Sequence, residues 1–194
     1  MLWIVFAAHL AAAQPVEPGS WFSEFQWENL VPKSGHALNF VRVIVTPEGT
    51  PGDCKIEVSS GMPSLDKQTC EIIMKRGRFR PARWSDGTTA YGVYRRDLLW
   101  ADLDAFNYAR PVDLEVSVSR LPSRIGAPIA FSMIFAVDAS GAKSSCEPPD
   151  RMDQVLASIA CRQILDNYPV TPARNSAGVP VPSVQNALVS FVTN

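Results

Sequence analysis

Four cysteines, Cys54, Cys70, Cys146 and Cys161, are the residues best placed to do chemistry in this 194-residue chain. A thiol can ligate a metal, exchange electrons or cross-link the chain. There is no Cys-x-x-Cys, so a redox-active dithiol is not indicated. The two histidines, His9 and His36, form no close Cys/His spacing, so no metal site is expected. Cross-linking remains. The count is even, and a similar length of chain separates Cys54 from Cys70 and Cys146 from Cys161. With the export signal described below, this implies two local disulfides, Cys54–Cys70 and Cys146–Cys161. Four buried free thiols are the alternative.

Other reactive groups suggest no catalyst. Asp97, Asp102 and Asp104 have no nucleophile or base at a useful spacing. There is no Gly-x-Ser-x-Gly and no glycine loop of the phosphate-cradling kind. The basic run Lys75, Arg76, Arg78, Arg80 and Arg83 could meet an acidic partner. More often such a run is a solvated helix end that suits the helix dipole, and that is the reading adopted. A net charge of −1 gives no electrostatic footprint for nucleic acid. We therefore expect no enzyme, no cofactor, no metal and no nucleic acid.

All of residues 1–13 except His9 are apolar or small, and they end in Ala11-Ala12-Ala13, a small-x-small cleavage pattern. The stretch is shorter than the roughly 20 residues a membrane-spanning helix needs. It reads as a signal peptide removed after Ala13, although it lacks a basic residue at its start. No later stretch is long and apolar enough to cross a membrane, so a soluble exported protein is expected.

The elements that carry the cysteines recur. Phe40 to Gly49 leads to Cys54, and Phe131 to Gly141 leads to Cys146. At one offset Val45 falls on Val137, Gly49 on Gly141 and Cys54 on Cys146. After a one-residue gap Cys70 falls on Cys161, Pro81-Ala82-Arg83 on Pro172-Ala173-Arg174, and Gly87 on Gly178. An apolar stretch closes each copy. A chain built from two copies of one unit follows.

In the first copy, Phe40 to Thr46 alternates as a strand does, and Asp53 to Val58 can return beside it. Ser64 can cap a helix from Leu65 to Arg76, with Leu65, Cys70, Ile72, Ile73 and Met74 toward a sheet. Tyr91 to Trp100 is the last strand. In the second copy Asp153 to Leu165 is the helix, and Val184 to Val192 the last strand. The fold class is α+β: two modules, each a small antiparallel sheet with a helix packed on one face. The expected divisions are a signal peptide 1–13, an N-terminal segment 14–36, module 1 at 37–100, a linker 101–126 and module 2 at 127–194. In the linker, Asp113 to Ser119 alternates as a strand. The aromatics Trp21, Phe22, Phe25 and Trp27 of the N-terminal segment are expected to pack on module 1.

The first copy resembles the C-terminal domain of the TonB energy-transducing proteins. The resemblance rests on Val43 to Gly49, on Cys54 to Asp66 with its Ser59-Ser60-Gly61 and Leu65-Asp66, and on Arg78 to Arg83 with Asp86-Gly87. The second copy is similar only in Gly141, its cysteines, Pro172-Ala173-Arg174 and Gly178. The resemblance implies a periplasmic module that binds an envelope or outer-membrane protein, such as a TonB-dependent receptor, by strand addition. It places the partner-binding edge on Tyr91, Val93, Arg95, Asp97 and Leu99. The anchor and Pro-rich spacer of a force-transmitting member have no counterpart here, so binding without energy transduction is expected. The other function compatible with the fold is a structural or stress-related periplasmic protein that no longer binds receptors.

Overall fold

The computed structural model describes residues 9–30, 37–100, 112–122, 129–150 and 152–193. Most of linker 101–126, including Asp102 and Asp104, and the indole of Trp27 lie outside the described residues.

The chain begins with a short strand β1 (Gln14–Pro15) and one helical turn α1 (Pro18–Trp21). A hairpin follows, β2 (Ala37–Val45) and β3 (Pro51–Val58). Its turn closes with the Gly49 N–H donating to the Thr46 carbonyl at 2.9 Å. Gly49 has φ of +81°, and a Cβ there would lie 2.3 Å from the Phe79 carbonyl oxygen, so only glycine fits. Helix α2 (Pro63–Arg76) runs to Gly77, then short strands β4 (Phe79–Arg80) and β5 (Ala82–Arg83) lead to the long strand β6 (Thr89–Trp100). After β7 (Leu114–Val118) the order recurs: β8 (Ile129–Val137), β9 (Lys143–Glu147), α3 (Gln154–Asn167), β10 (Ala173–Arg174), β11 (Pro180–Val181) and β12 (Ser183–Thr193). This is the mixed α+β fold expected from the sequence.

The glycine and arginine spacing now has a cause. Gly87 and Gly178 close tight turns at φ of +84° and +77°. In each, an arginine four residues earlier donates to the glycine carbonyl: Arg83 at 2.8 Å and Arg174 at 2.7 Å. The Ala before that arginine, Ala82 or Ala173, is wholly buried, which leaves no room for a larger side chain.

Both halves join one sheet. Among the described residues it has eight strands along the path β3-β2-β6-β12-β8-β9, with β5 added to β6 and β7 to β12. Strands β6 and β12 meet in parallel at Tyr91–Ser183 and Gly92–Val184. The two helices take opposite faces of this sheet. Val41, Val43 and Val45 of β2 cluster with Ile73 of α2. Ala136 and Val184 from the second half join that same cluster. Phe135 and Val137 flank Ala136 and, by strand alternation, point the other way, where they pack with Leu156, Ala160 and Ile164 of α3. The cluster under α2 is thus closed by residues of both halves, while the cluster under α3 is built from residues of the second half together with Val116 and Val118 of β7.

The start of α2 differs from the expected Ser64 cap. Helical backbone begins at Pro63, a favoured first helical position, and the capping residue Met62 offers no side-chain bond. Asp66 does the work from inside the helix. Its carboxylate accepts from the Ser59 hydroxyl, from the Ser60 N–H at 3.0 Å and from the Asn39 amide at 3.1 Å. Asn39 also donates to Thr69 at 3.2 Å and accepts from the Trp100 indole at 3.4 Å, so one buried amide ties β2, α2 and β6 together. The second half lacks the serine pair. There Asp153 caps α3 directly, accepting from Val155 N–H and Leu156 N–H.

Burial pushes the Asp66 carboxyl up, but the bonds from Ser59, Ser60 and Asn39 more than reverse this and hold it below the ordinary aspartate range. Its stabilising contribution is therefore complete above the unfolded-chain value of about 3.9. It is lost as the pH falls through the lower folded value. Asp66→Asn is expected to lower stability at neutral pH by about 1–3 kcal/mol, the cost of weakening charge-assisted bonds. In acid, below both values, variant and parent should converge. Urea unfolding at neutral and acid pH tests this, and a difference independent of pH would refute it.

Candidate interaction seam and family relationship

The strand expected to bind a partner lies at the seam between the halves. β6 pairs with β2 from Gly92 to Trp100, and at its start Tyr91 and Gly92 also pair with β12. Sequence reasoning treated this strand as the border of its own module. In the sheet order it is interior, because the second half supplies β12, and β3 and β9 are the terminal strands instead. Of the expected contact residues, Val93 is buried at 1% exposure and packs with Ile44 and Ala173. Tyr91 lies against the same cluster.

Arg95 has a specific task at the seam. It donates to Glu57 on β3 at 2.9 Å, to Asp113 beside β7 at 2.9 Å and to the Tyr168 hydroxyl at 2.8 Å. Asp113 is itself held on β12: its carboxylate accepts from the Leu188 N–H at 2.7 Å. Burial, with Asp113 nearby, pushes the Tyr168 hydroxyl up, so it stays protonated across the physiological range. Nearby, Arg42 donates to the Thr171 carbonyl at 3.1 Å and Gln185 reaches the same oxygen at 3.2 Å. Charged groups of the first half are thus spent on fixing the second. This lock leaves no periodic trace in the sequence, because its hydrogen-bonded partners lie up to 129 positions apart.

Both expected disulfides are present. Cys54 bonds Cys70 and Cys146 bonds Cys161, each with Cα atoms 5.5 Å apart. Each ties a helix to a terminal strand of the sheet. The basic run is taken up structurally at several points. Arg76 donates to the Trp21 carbonyl at 3.3 Å and pairs with Glu24, and Arg83 closes its glycine turn. The N-terminal aromatics pack as expected: Trp21 on Phe79 at 5.1 Å, and Phe22 and Phe25 on Trp100 at 5.2 and 5.3 Å between ring centres. Among the described residues no group of three or more His, Cys, Asp or Glu side chains could hold a metal ion.

Residues 35–91 match the family model of the Gram-negative bacterial TonB protein C-terminal. Residues 35–91 are thus similar to a TonB C-terminal domain. The match begins just before β2, takes in β3 and α2, and ends at Tyr91 inside β6. It covers the residues that carry the Ser59-Ser60-Gly61 and Leu65-Asp66 hub. No curated protein and no solved structure matches the chain. TonB C-terminal domains are non-catalytic interaction domains that bind envelope proteins such as receptors. Two disulfides and this domain fit a protein of the cell envelope. No helix among the described residues is long and apolar enough to cross a membrane.

Proposed function

We propose that the protein is exported to the periplasm, with residues 1–13 removed, and there binds an envelope or outer-membrane protein. The observation that carries this reading is the TonB C-terminal match over residues 35–91. In this reading the partner is a short extended segment of a TonB-dependent receptor, and the strand it meets is β6, with Tyr91, Val93, Arg95, Asp97 and Leu99. Main-chain pairing supplies affinity, and the side chains that alternate along the strand supply selectivity. The narrowness of the β6–β12 contact supports it: the two strands share two register positions, against nine between β2 and β6. Parting them to admit a segment breaks few ladder bonds.

Photo-crosslinking from position 97 or 99 of the exported protein, in intact envelopes, tests the proposal. The expected adduct contains the N-terminal region of a receptor. If none forms where a TonB protein captures one, the fold serves a structural or stress-related role instead. Mass determination of the exported protein checks the cleavage site separately.

A further inference from the structure

We infer that the groove holding Leu10–Ala13 between the two halves is a peptide-binding site. Its occupant in the exported protein is a partner's extended segment, in which a basic and an aliphatic residue precede small ones. This rests on the export reading above, in which residues 1–13 are removed and the groove is vacated. The site is distinct from the outer flank of β6.

The groove is built by both halves. Ala11 bridges Arg83 with two main-chain bonds, N–H to carbonyl at 3.0 Å and 2.9 Å. Such pairing reads backbone and not sequence. Glu147 at the end of β9 accepts the Leu10 N–H with both carboxylate oxygens, at 3.1 and 3.0 Å. His9 Nδ1 lies 3.2 Å from the same carboxylate, so a basic residue suits the position before the aliphatic one. Leu10 and Ala13 are 6% and 7% exposed, enclosed by Ala82 and Ala90 of the first half and Ala136 and Val184 of the second.

Size selection comes from Gly92. A Cβ at that position would lie 2.6 Å from the Ala13 methyl, so the peptide backbone approaches β6 only because residue 92 is glycine. Any side chain larger than alanine in place of Ala13 would collide with the same wall. An open cavity of about 620 Å³ continues the groove past Ile134, Pro148 and Met152. Beyond Ala13 the track is already a strand: Gln14 and Pro15 pair with Arg80 and Phe79. Removal of residues 1–13 leaves that strand in place and opens the site beside it. Strand pairing, a carboxylate for an N–H and walls of small residues together define a receptor for a short extended peptide.

The test uses the full chain exported and purified from the periplasm, with its mass determined first. A protein beginning at Gln14 is expected to bind a synthetic peptide of residues 9–13, His-Leu-Ala-Ala-Ala, and to shift the amide resonances of Arg83 and Gly92. Glu147→Ala should weaken binding at least about tenfold by removing a charged acceptor. Gly92→Ala should abolish it by filling the place of the Ala13 methyl; because its Cβ also comes within 3.0 Å of the Ala82 Cβ, circular dichroism and thermal unfolding check its fold, and Glu147→Ala reads binding independently. A processed protein that ignores the peptide overturns the inference and leaves export standing. A protein that retains residues 9–13 overturns the cleavage and the inference together, since its own segment then fills the groove.

Discussion

Replacing all four cysteines with alanine is expected to lower stability by roughly 6 kcal/mol, about 3 kcal/mol for each bridge. Each bond closes a loop of 15 or 16 residues between a terminal strand and a helix. Without the bond that loop regains its freedom in the unfolded chain. The two bridges lie in different halves and share no partner, so their effects should nearly add. Against a typical total of 5–15 kcal/mol, such a loss removes from about two-fifths of the stability to all of it. The cores cannot make it up. The first half contributes Val41, Val43, Val45 and Ile73 to its cluster and already borrows Ala136 and Val184 from the second. Urea unfolding of the parent and of each paired variant measures the effect. A loss below about 1 kcal/mol per bridge would show that loop closure is not what these bonds contribute.

Phe135→Ala is expected to cost about 3–5 kcal/mol, the range for emptying an aromatic site in a packed core. Phe135 is fully buried on β8, in the middle of the cluster that α3 covers. Its ring meets Tyr168 edge-on, with centres 5.9 Å apart. The loss should therefore reach the seam as well: Tyr168 positions its hydroxyl for Arg95, and a tyrosine that relaxes into the cavity gives up that bond. Val155→Ala is the control, since Val155 is 67% exposed on α3, the helix that covers Phe135, and should change stability by about 0.5 kcal/mol or less. Chemical unfolding of both variants decides, with near-ultraviolet circular dichroism reporting the tyrosine. Equal effects from the two would mean that the α3 core is not packed as described.

Local patterns carried much of this fold. The alternation from Phe40 to Thr46 and the apolar stripe of the first helix were legible because strand and helix periods act over neighbouring residues. The cysteine pairs were legible because each bridge is local and the spacing occurs twice. The glycine turns at Gly49, Gly87, Gly141 and Gly178 were legible because each has φ between +77° and +93°, where side chains are strained. The family likeness of the first copy rests on the same kind of signal: Ser59, Ser60 and Asp66 lie within seven positions of one another because they meet in one capping network.

What the sequence could not show is how the halves meet. Strand β6 appeared as the border of a module because its pairing with β12 joins residues about ninety positions apart and leaves no periodic trace. The placement of α2 and α3 on opposite faces follows from that single parallel contact, not from either module's own pattern. Arg95 was read as a contact residue by its place on the strand. Its partners Glu57, Asp113 and Tyr168 come from three separate stretches of chain, and only the folded arrangement assembles them. The groove over Gly92 has the same origin, since its walls come from both halves. By itself the sequence determined the elements, the cross-links and the kinship of residues 35–91, because those depend on short-range geometry. The tertiary structure alone decided the seam, because main-chain pairing and side-chain packing across it depend on proximity in space and place no requirement on proximity in the chain.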